Sequence, residues 1–350
     1  MNLLSYVIIG TVCLLFIILI LKWNQFKNWV ITDLGETKLA EKLKNNLLLP
    51  TRFWWKWNIL KKIRKYDIDK YRSRNITFED NFNKGELDRE KWNTSFPWGR
   101  HTADGGAWST DGDNLKFEGS TVQFQTKYEP GVYEGWWGKV EQKFTTAHID
   151  TKNKFQQQMG RFDIKVKLTD KVGLWPAFWL LTETYAHPNI PRWEKDKPVN
   201  EFDWGESIKP EIDVFEQFGT PGKNKRMQFT LHAGLTYPKP WGRAIPSKIK
   251  GVDFSDKFVM VSVEITKDWL KWYVNDCLVK VLYQKHLSTD ERVFRPMYLI
   301  ISTGTNIKPD VLLKEYEKDN NYLPDGMTVD WVRVYKPLYY GNPDELEFES

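Results

Sequence analysis

Hydrophobic and polar positions follow three rhythms along the 350 residues. From Leu3 to Leu21 no residue is charged, and Leu, Ile, Val and Phe dominate a 19-residue run that, as a helix, matches about 30 Å of hydrocarbon. This predicts a transmembrane anchor over residues 1–22. A cleaved leader fits less well: no Lys or Arg precedes the run, no small-x-small site follows it, and the apolar stretch is too long. Next, Leu39, Leu43 and Leu47 recur on one helical face, with Asp33 and Glu36 as a capping box and Pro50 as a stop. They predict a short amphipathic helix inside an arm spanning residues 23–75.

From about residue 76 to 337 the period becomes two. Short alternating runs at 121–125, 161–168, 258–265, 270–274 and 329–335 are separated by Asp111-Gly112, Pro130-Gly131, Pro221-Gly222, Asn275-Asp276 and Asp325-Gly326. Strands at that spacing, without helices between them, predict an all-β sandwich or barrel rather than βαβ units. Residues 182–210, rich in Pro and charge, predict one long loop, and loops of that length are usually functional. An acidic tail, residues 338–350, closes the chain.

Charge sharpens the division. Residues 1–75 hold 14 Lys/Arg against 5 Asp/Glu, a net of +9, and the remainder holds 37 against 41, a net of −4. A nucleic-acid enzyme would carry its positive field on the folded domain. Here the field belongs to the arm, where Trp23, Trp29, Phe53, Trp54, Trp55 and Trp57 are interleaved with Lys56, Lys61, Lys62, Arg64 and Lys65. Beside an apolar run, that mixture suits a lipid headgroup layer better than nucleic acid. The flanking charges would keep the large domain cytoplasmic, whereas the sequons at Asn75 and Asn93 fit an extracytoplasmic one. Cys13 and Cys277 lie in unrelated segments and form no plausible bridge, so packing among the 18 Trp, 15 Tyr and 20 Phe must hold the fold.

One strand carries an unusual set of acids. In Pro210-Glu-Ile-Asp-Val-Phe-Glu-Gln217, Glu211 and Asp213 share a face, and the third acid on that face would fall at 215, where Phe215 stands. One inserted residue, a β-bulge, would return Glu216 to the same side. Two carboxylates flanking a sugar bond are the equipment of retaining glycosidases, and a third between them would push their proton affinities apart. A solvated acidic face or a metal site would use the same residues. Nearby, Trp175 and Trp179 share one strand face while Phe178 and Leu180 take the other, so one side can be core and the other a platform for sugar rings.

The segments Phe78-Glu-Asp-Asn-Phe82, Leu87-Asp88 and Trp92, Gly160 to Leu168, Gly173 to Leu181, Glu211 to Glu216, Thr230-Leu-His232, Trp272 to Asn275 and Val329 to Tyr335 together resemble glycoside hydrolase family 16, the retaining endo-β-glycanases. The resemblance covers about residues 76–337. It implies a jelly-roll (concanavalin A-like) sandwich of two curved antiparallel sheets, with Glu211 as nucleophile, Asp213 as electrostatic helper and Glu216 as acid/base. Trp175 and Trp179 would line subsites, and His232 would lie near the acid/base or serve as a structural residue. Trp193 and Trp204 in the long loop would also meet substrate. No cofactor is required; a structural calcium would involve Glu79 and Asp330, which are equally explained as surface or turn acids. Asn275-Asp276 stands where the family often has Asp-Gly, a change a type I′ turn tolerates. The expectation is a membrane-anchored endo-β-glycanase acting on a polysaccharide, first a β-1,3-glucan. Runners-up are a sulfated galactan met by Arg161, Lys165 and Arg192, transfer instead of hydrolysis, and a lectin-like binding module.

Overall fold

The structure, a computed structural model, describes residues 18–30, 37–59, 76–182, 210–221, 226–233, 243–250, 252–287 and 293–337, with short breaks at 97–98, 103–104, 136–137, 294 and 306–308. The 3–21 run lies mostly outside the described residues, as do Asn75, Arg192, Trp193, Trp204, the Asp33/Glu36 pair and the acidic tail.

Period-two alternation becomes two antiparallel sheets. The larger runs β14 (Cys277–Tyr283), β13 (Trp269–Val274), β12 (Val259–Ile265), β7 (Gly160–Lys167), β16 (Asp325–Tyr335), β4 (Thr121–Gly135), β5 (Gly138–Thr146) and β2 (Trp108–Ser109), the last in parallel. Two short strands join it, β1 (Ile76–Asp80) on β16 and β3 (Leu115–Glu118) on β4. The smaller sheet runs β11 (Arg243–Lys250), β10 (Arg226–Ala233), β9 (Pro210–Gln217), β8 (Ala177–Thr182), β15 (Met297–Ser302) and β6 (His148–Asp150). Phe162, Ile164, Val261 and Trp272 from one sheet meet Phe178, Leu180, Ile212 and Leu231 from the other in one buried core, as packed sheets require. Asn275 and Asp276 both adopt positive φ, the type I′ hairpin between β13 and β14. Two expected breaks are not breaks: Pro130-Gly131 lies within β4 at a register shift, and Asp325-Gly326 starts β16.

The arm departs most from its sequence pattern. Thr37 caps a helix at Lys38–Leu43, accepting from the Ala40 N–H, and the run continues through a π-turn at Lys44–Leu48 into Leu49–Trp54. Pro50 does not stop it. In the π register Leu49 N–H bonds the Lys44 carbonyl, so an N–H at position 50 would meet the Asn45 carbonyl, which accepts from Ser247 Oγ instead. The buried face is Ala40, Asn45, Leu48, Leu49 and Phe53, whereas Leu39 and Leu47 are exposed. Phe53 belongs to the sandwich core, against Phe254. Asn45 pairs with the edge strand as a peptide would: its Nδ2 donates to the Val281 carbonyl and its Oδ1 accepts from the Val281 N–H. Glu41 accepts from the Tyr283 N–H at 2.7 Å and bonds His286 at 2.9 Å, and Ser247 of β11 donates to the Asn45 carbonyl. The helical run therefore covers β14 and β11, the edge strands of the two sheets, and blunts their unpaired backbone.

Candidate active site

Strand β9 carries Ile212, Val214 and Phe215 toward the core, all fully buried. Its ladders show where the extra residue enters. Against β8, Ala177 faces Glu216, Phe178 faces Phe215 and Trp179 faces Asp213; against β10, Gln228 faces Glu216 and Thr230 faces Asp213. Val214 is the inserted residue, and the bulge expected from side-chain parity puts Glu211, Asp213 and Glu216 together on the face away from the core.

Each acid meets a different environment. Glu211 is the most open, with its side chain 21% exposed, and His232, its register partner, places Nε2 3.7 Å from its Oε1. Asp213 and Glu216 are buried. Burial first, then the Glu211 charge, pushes Asp213 up to about 8, and burial followed by the Asp213 charge and hydrogen bond raises Glu216 well above the usual carboxylate range. Adjacent buried carboxylates cannot both ionise, so this pair holds a proton at neutral pH, with Glu216 as donor to Asp213. Trp175 Nε1 donates to Glu216 Oε1 at 3.2 Å, while Gln228 Nε2 and Thr230 Oγ1 each lie 3.4 Å from Oε2. Gln228 and Thr230 were not anticipated; their parity with His232 on β10 was the available signal.

His232 sits beside Asp213 Oδ2 at 3.2 Å and beside Glu211, at the Glu211 end of the acids rather than beside Glu216 as expected. Trp175 and Trp179 lie on the same side as the acids, in unlike surroundings. Trp179 is only 7% exposed, donates Nε1 to Ser302 Oγ at 3.1 Å and packs with Phe96, Tyr298 and Ile300, so it braces the floor, whereas Trp175 touches the acid.

Other expected residues lie elsewhere. Glu79 accepts from Arg333 Nε and Asp330 pairs with Lys165 at 2.7 Å, so a calcium ion would have to displace both cations. Among the described residues, the group compact enough for a metal is Glu211, Asp213 and His232, two of the three acids with the histidine beside them. Arg161 is buried on β7 between Asp163 and Asp276. With Lys165 on the same strand, it belongs to the sheet opposite the acids and is not placed to meet a sulfate. Asn93 donates Nδ2 to Asp150 Oδ1 and to the Lys152 carbonyl, both at 2.9 Å, so the nitrogen a glycan would need is already in use.

A proton-holding carboxylate pair next to a half-buried carboxylate, on the open face of a two-sheet sandwich, is the equipment a glycosidase uses. The profile for Glycosyl hydrolases family 16 matches residues 103–333, and the chain belongs to that family. It is 26% identical over 280 residues to a glucan endo-1,3-beta-glucosidase A1 of Niallia circulans, covering 75% of this chain and 38% of the relative. It is 25% identical over 232 residues to a beta-glucanase of Rhodothermus marinus, 64% of this chain and 71% of the relative. The laminarinase catalytic domain of Thermotoga maritima MSB8 superposes with a TM-score of 0.57 at 24% identity, covering 76% of this chain and 99% of that one. A beta-1,3-glucan-binding protein of Penaeus monodon is 28% identical over 141 residues, 38% of this chain and 34% of the relative. The chain thus spans well under half of the Niallia relative.

Proposed function

We propose that this protein is an endo-β-glucanase that cleaves internal bonds of a β-1,3-glucan with retention. The observation that carries the reading is the bulged strand, which sets an open carboxylate, Glu211, beside a buried pair that keeps one proton. In the first step the Glu211 carboxylate attacks the anomeric carbon, the glycosidic C–O bond breaks, and the Glu216 proton goes to the departing oxygen. In the second, the Glu216 carboxylate takes a proton from water, the water oxygen bonds to the anomeric carbon, and Glu211 leaves as carboxylate. Asp213 accepts the Glu216 hydrogen bond in the first step and, because the two buried carboxylates cannot both ionise, keeps the proton affinity of Glu216 high. No cofactor takes part. The relatives named for 1,3-glucans support the substrate; a sulfated galactan loses support because Arg161 and Lys165 are committed to ion pairs on the other sheet.

The same proposal holds the enzyme at a membrane through residues 3–21 and the basic arm, with the sandwich on the extracytoplasmic side. Among the described residues no helix is long and apolar enough to cross a membrane. What supports the anchor is the apolar run itself and the exposed Ile18, Leu19, Ile20, Leu21, Trp29, Leu39, Leu47, Trp54 and Trp55, since outside the arm only Ile76 and Val132 are comparably exposed among the described residues. Such a surface with basic neighbours suits a lipid interface.

Reducing-sugar release from laminarin, mixed-linkage glucan and algal galactans by the full chain tests the substrate. Release from laminarin is expected; silence on every glycan with binding retained would mean a lectin-like module, and release from galactans alone would overturn the glucan assignment. Protease protection of the full chain in sealed vesicles tests the sidedness.

A further inference from the structure

The bulge that gathers the acids creates a problem for the backbone. At Val214 the ladders on both sides of β9 shift register, and a bulge leaves main-chain groups without ladder partners. Within a closed core such groups need other donors, because an unpaired buried carbonyl costs about as much as a lost hydrogen bond.

Two side chains of the opposite sheet reach the residues flanking the shift. Trp272 of β13, fully buried, donates Nε1 to the Asp213 carbonyl at 2.9 Å. Lys280 of β14, 1% exposed, donates Nζ to the Phe229 carbonyl at 2.9 Å and to the Ile245 carbonyl. Phe229 stands between Gln228 and Thr230, where the register on β10 jumps from Glu216 to Asp213. The ammonium lies 4.4 Å from the centroid of the Trp272 ring, so both donors form one packed unit beneath the bulge.

A lysine at this depth is costly. Burial pushes it down to about 7, opposed by the charges of Asp213 on β9 and Glu41 on the arm. An apolar side chain would fill the space without that cost. The arm also covers this seam: Asn45 holds Val281 and Glu41 holds Tyr283, the residues following Lys280 along β14.

We propose that Lys280 is a positioning residue of the active site: gripping the Phe229 and Ile245 carbonyls beside Trp272, it holds β10 and β11 against the bulge and fixes the spacing of Asp213 and Glu216. The inference rests on the reading of Glu211, Asp213 and Glu216 as glycosidase acids. Loss of the grip lets β10 relax, and Thr230 and Gln228 move with it, away from Glu216.

The test compares full-chain wild type, Lys280→Met, Lys280→Arg and Trp272→Phe on laminarin across pH, with melting temperatures alongside. In Lys280→Met, kcat is expected to fall on the order of 100-fold, the size of effect an ångström of misplacement produces, with KM nearly unchanged and the alkaline limb of the pH profile displaced. Lys280→Arg, which restores a cationic donor, should recover part of kcat and return the limb toward wild type. A melting temperature that drops while kcat and the profile stay at wild-type values would overturn the proposal, since a merely structural lysine moves stability alone. If Lys280→Met does not fold, Trp272→Phe, which removes one N–H from the same unit, must shift the profile in the same sense; an unchanged profile overturns the proposal. Wild-type silence on glucans would refute the glycosidase reading instead. Carboxyl titration by ¹³C NMR in the full chain then decides separately: the Asp213–Glu216 titration is expected to move by about one pH unit in a folded variant, and an unmoved titration overturns the role of Lys280.

Discussion

The two sheets bury acids on opposite terms. On the ten-stranded sheet, Asp163 accepts from Arg161 Nε at 2.7 Å, and the same guanidinium reaches Asp276 at 2.9 Å and Ser262 at 3.0 Å over the Tyr273 ring. Burial raises Asp163 too, but the Arg161 charge and hydrogen bond oppose it. On the six-stranded sheet, Asp213 and Glu216 have each other, neutral donors at 3.2–3.4 Å, one imidazole and, from across the core, the charge of Lys280, whose Nζ is bound to backbone carbonyls instead. A carboxylate paired directly to a guanidinium locks strands together; a carboxylate pair with no directly bonded cation has its proton affinity raised, as proton transfer to a substrate would require. Charge in the interior thus separates scaffold from chemistry better than burial does.

The strongest test of that contrast removes the acids. Glu211→Gln and Glu216→Gln are expected to lower kcat on laminarin by on the order of 10⁴-fold or more while leaving the fold intact by circular dichroism; wild-type rates in both would sink the site assignment. On the other sheet, Arg161→Met strands Asp163 and should cost about 3–5 kcal/mol in denaturant unfolding, with the pH profile of the surviving activity unmoved. A profile that moved would mean the two clusters are not separate. Asn45→Ala leaves the Val281 N–H and carbonyl bare at the sheet edge and should cost about 1–3 kcal/mol in the same measurement.

The smallest effect is also the most diagnostic. Asp213 and Glu216 have proton affinities raised by folding, so the native state binds more protons than the unfolded chain. The stability this gives is complete below the unfolded carboxylate range near 4 and is lost as pH climbs toward about 8. Asp213→Asn and Glu216→Gln should therefore melt higher than wild type at pH 8, by about 2–4 °C for each kcal/mol relieved, with the gain vanishing at pH 4. Activity should fall on the alkaline side for the same reason, as Glu216 loses the proton it donates.

The bulge could be read from the chain because parity is a rigid rule: Phe215 occupied a position an acid needed, and one inserted residue was the only small repair. The split of Trp175 and Trp179 from Phe178 and Leu180 followed from the same rule. The arm could not be read this way, since Trp and Lys interleaving describes a headgroup layer and a sheet-edge cover equally well. Phe53 and Asn45 reveal their partners only when β14 and β11 are in place. Lys280 was hidden for a different reason: in Cys277-Leu-Val-Lys-Val-Leu-Tyr283 a lysine reads as an outward residue of an edge strand, but a register shift in the β13–β14 ladder pairs it with the core residue Trp272, and its Nζ reaches carbonyls of the opposite sheet.

Asn45 and Val281, joined by two hydrogen bonds, are 236 residues apart in the chain. A growing polypeptide releases its leading helix long before the strand that helix must close has been made, and contacts of such sequence separation form late. Throughout that interval the face carrying Phe53 needs another cover. If the leading segment is held in a bilayer, the sandwich completes itself while tethered, and its last step of folding docks it onto its own mooring.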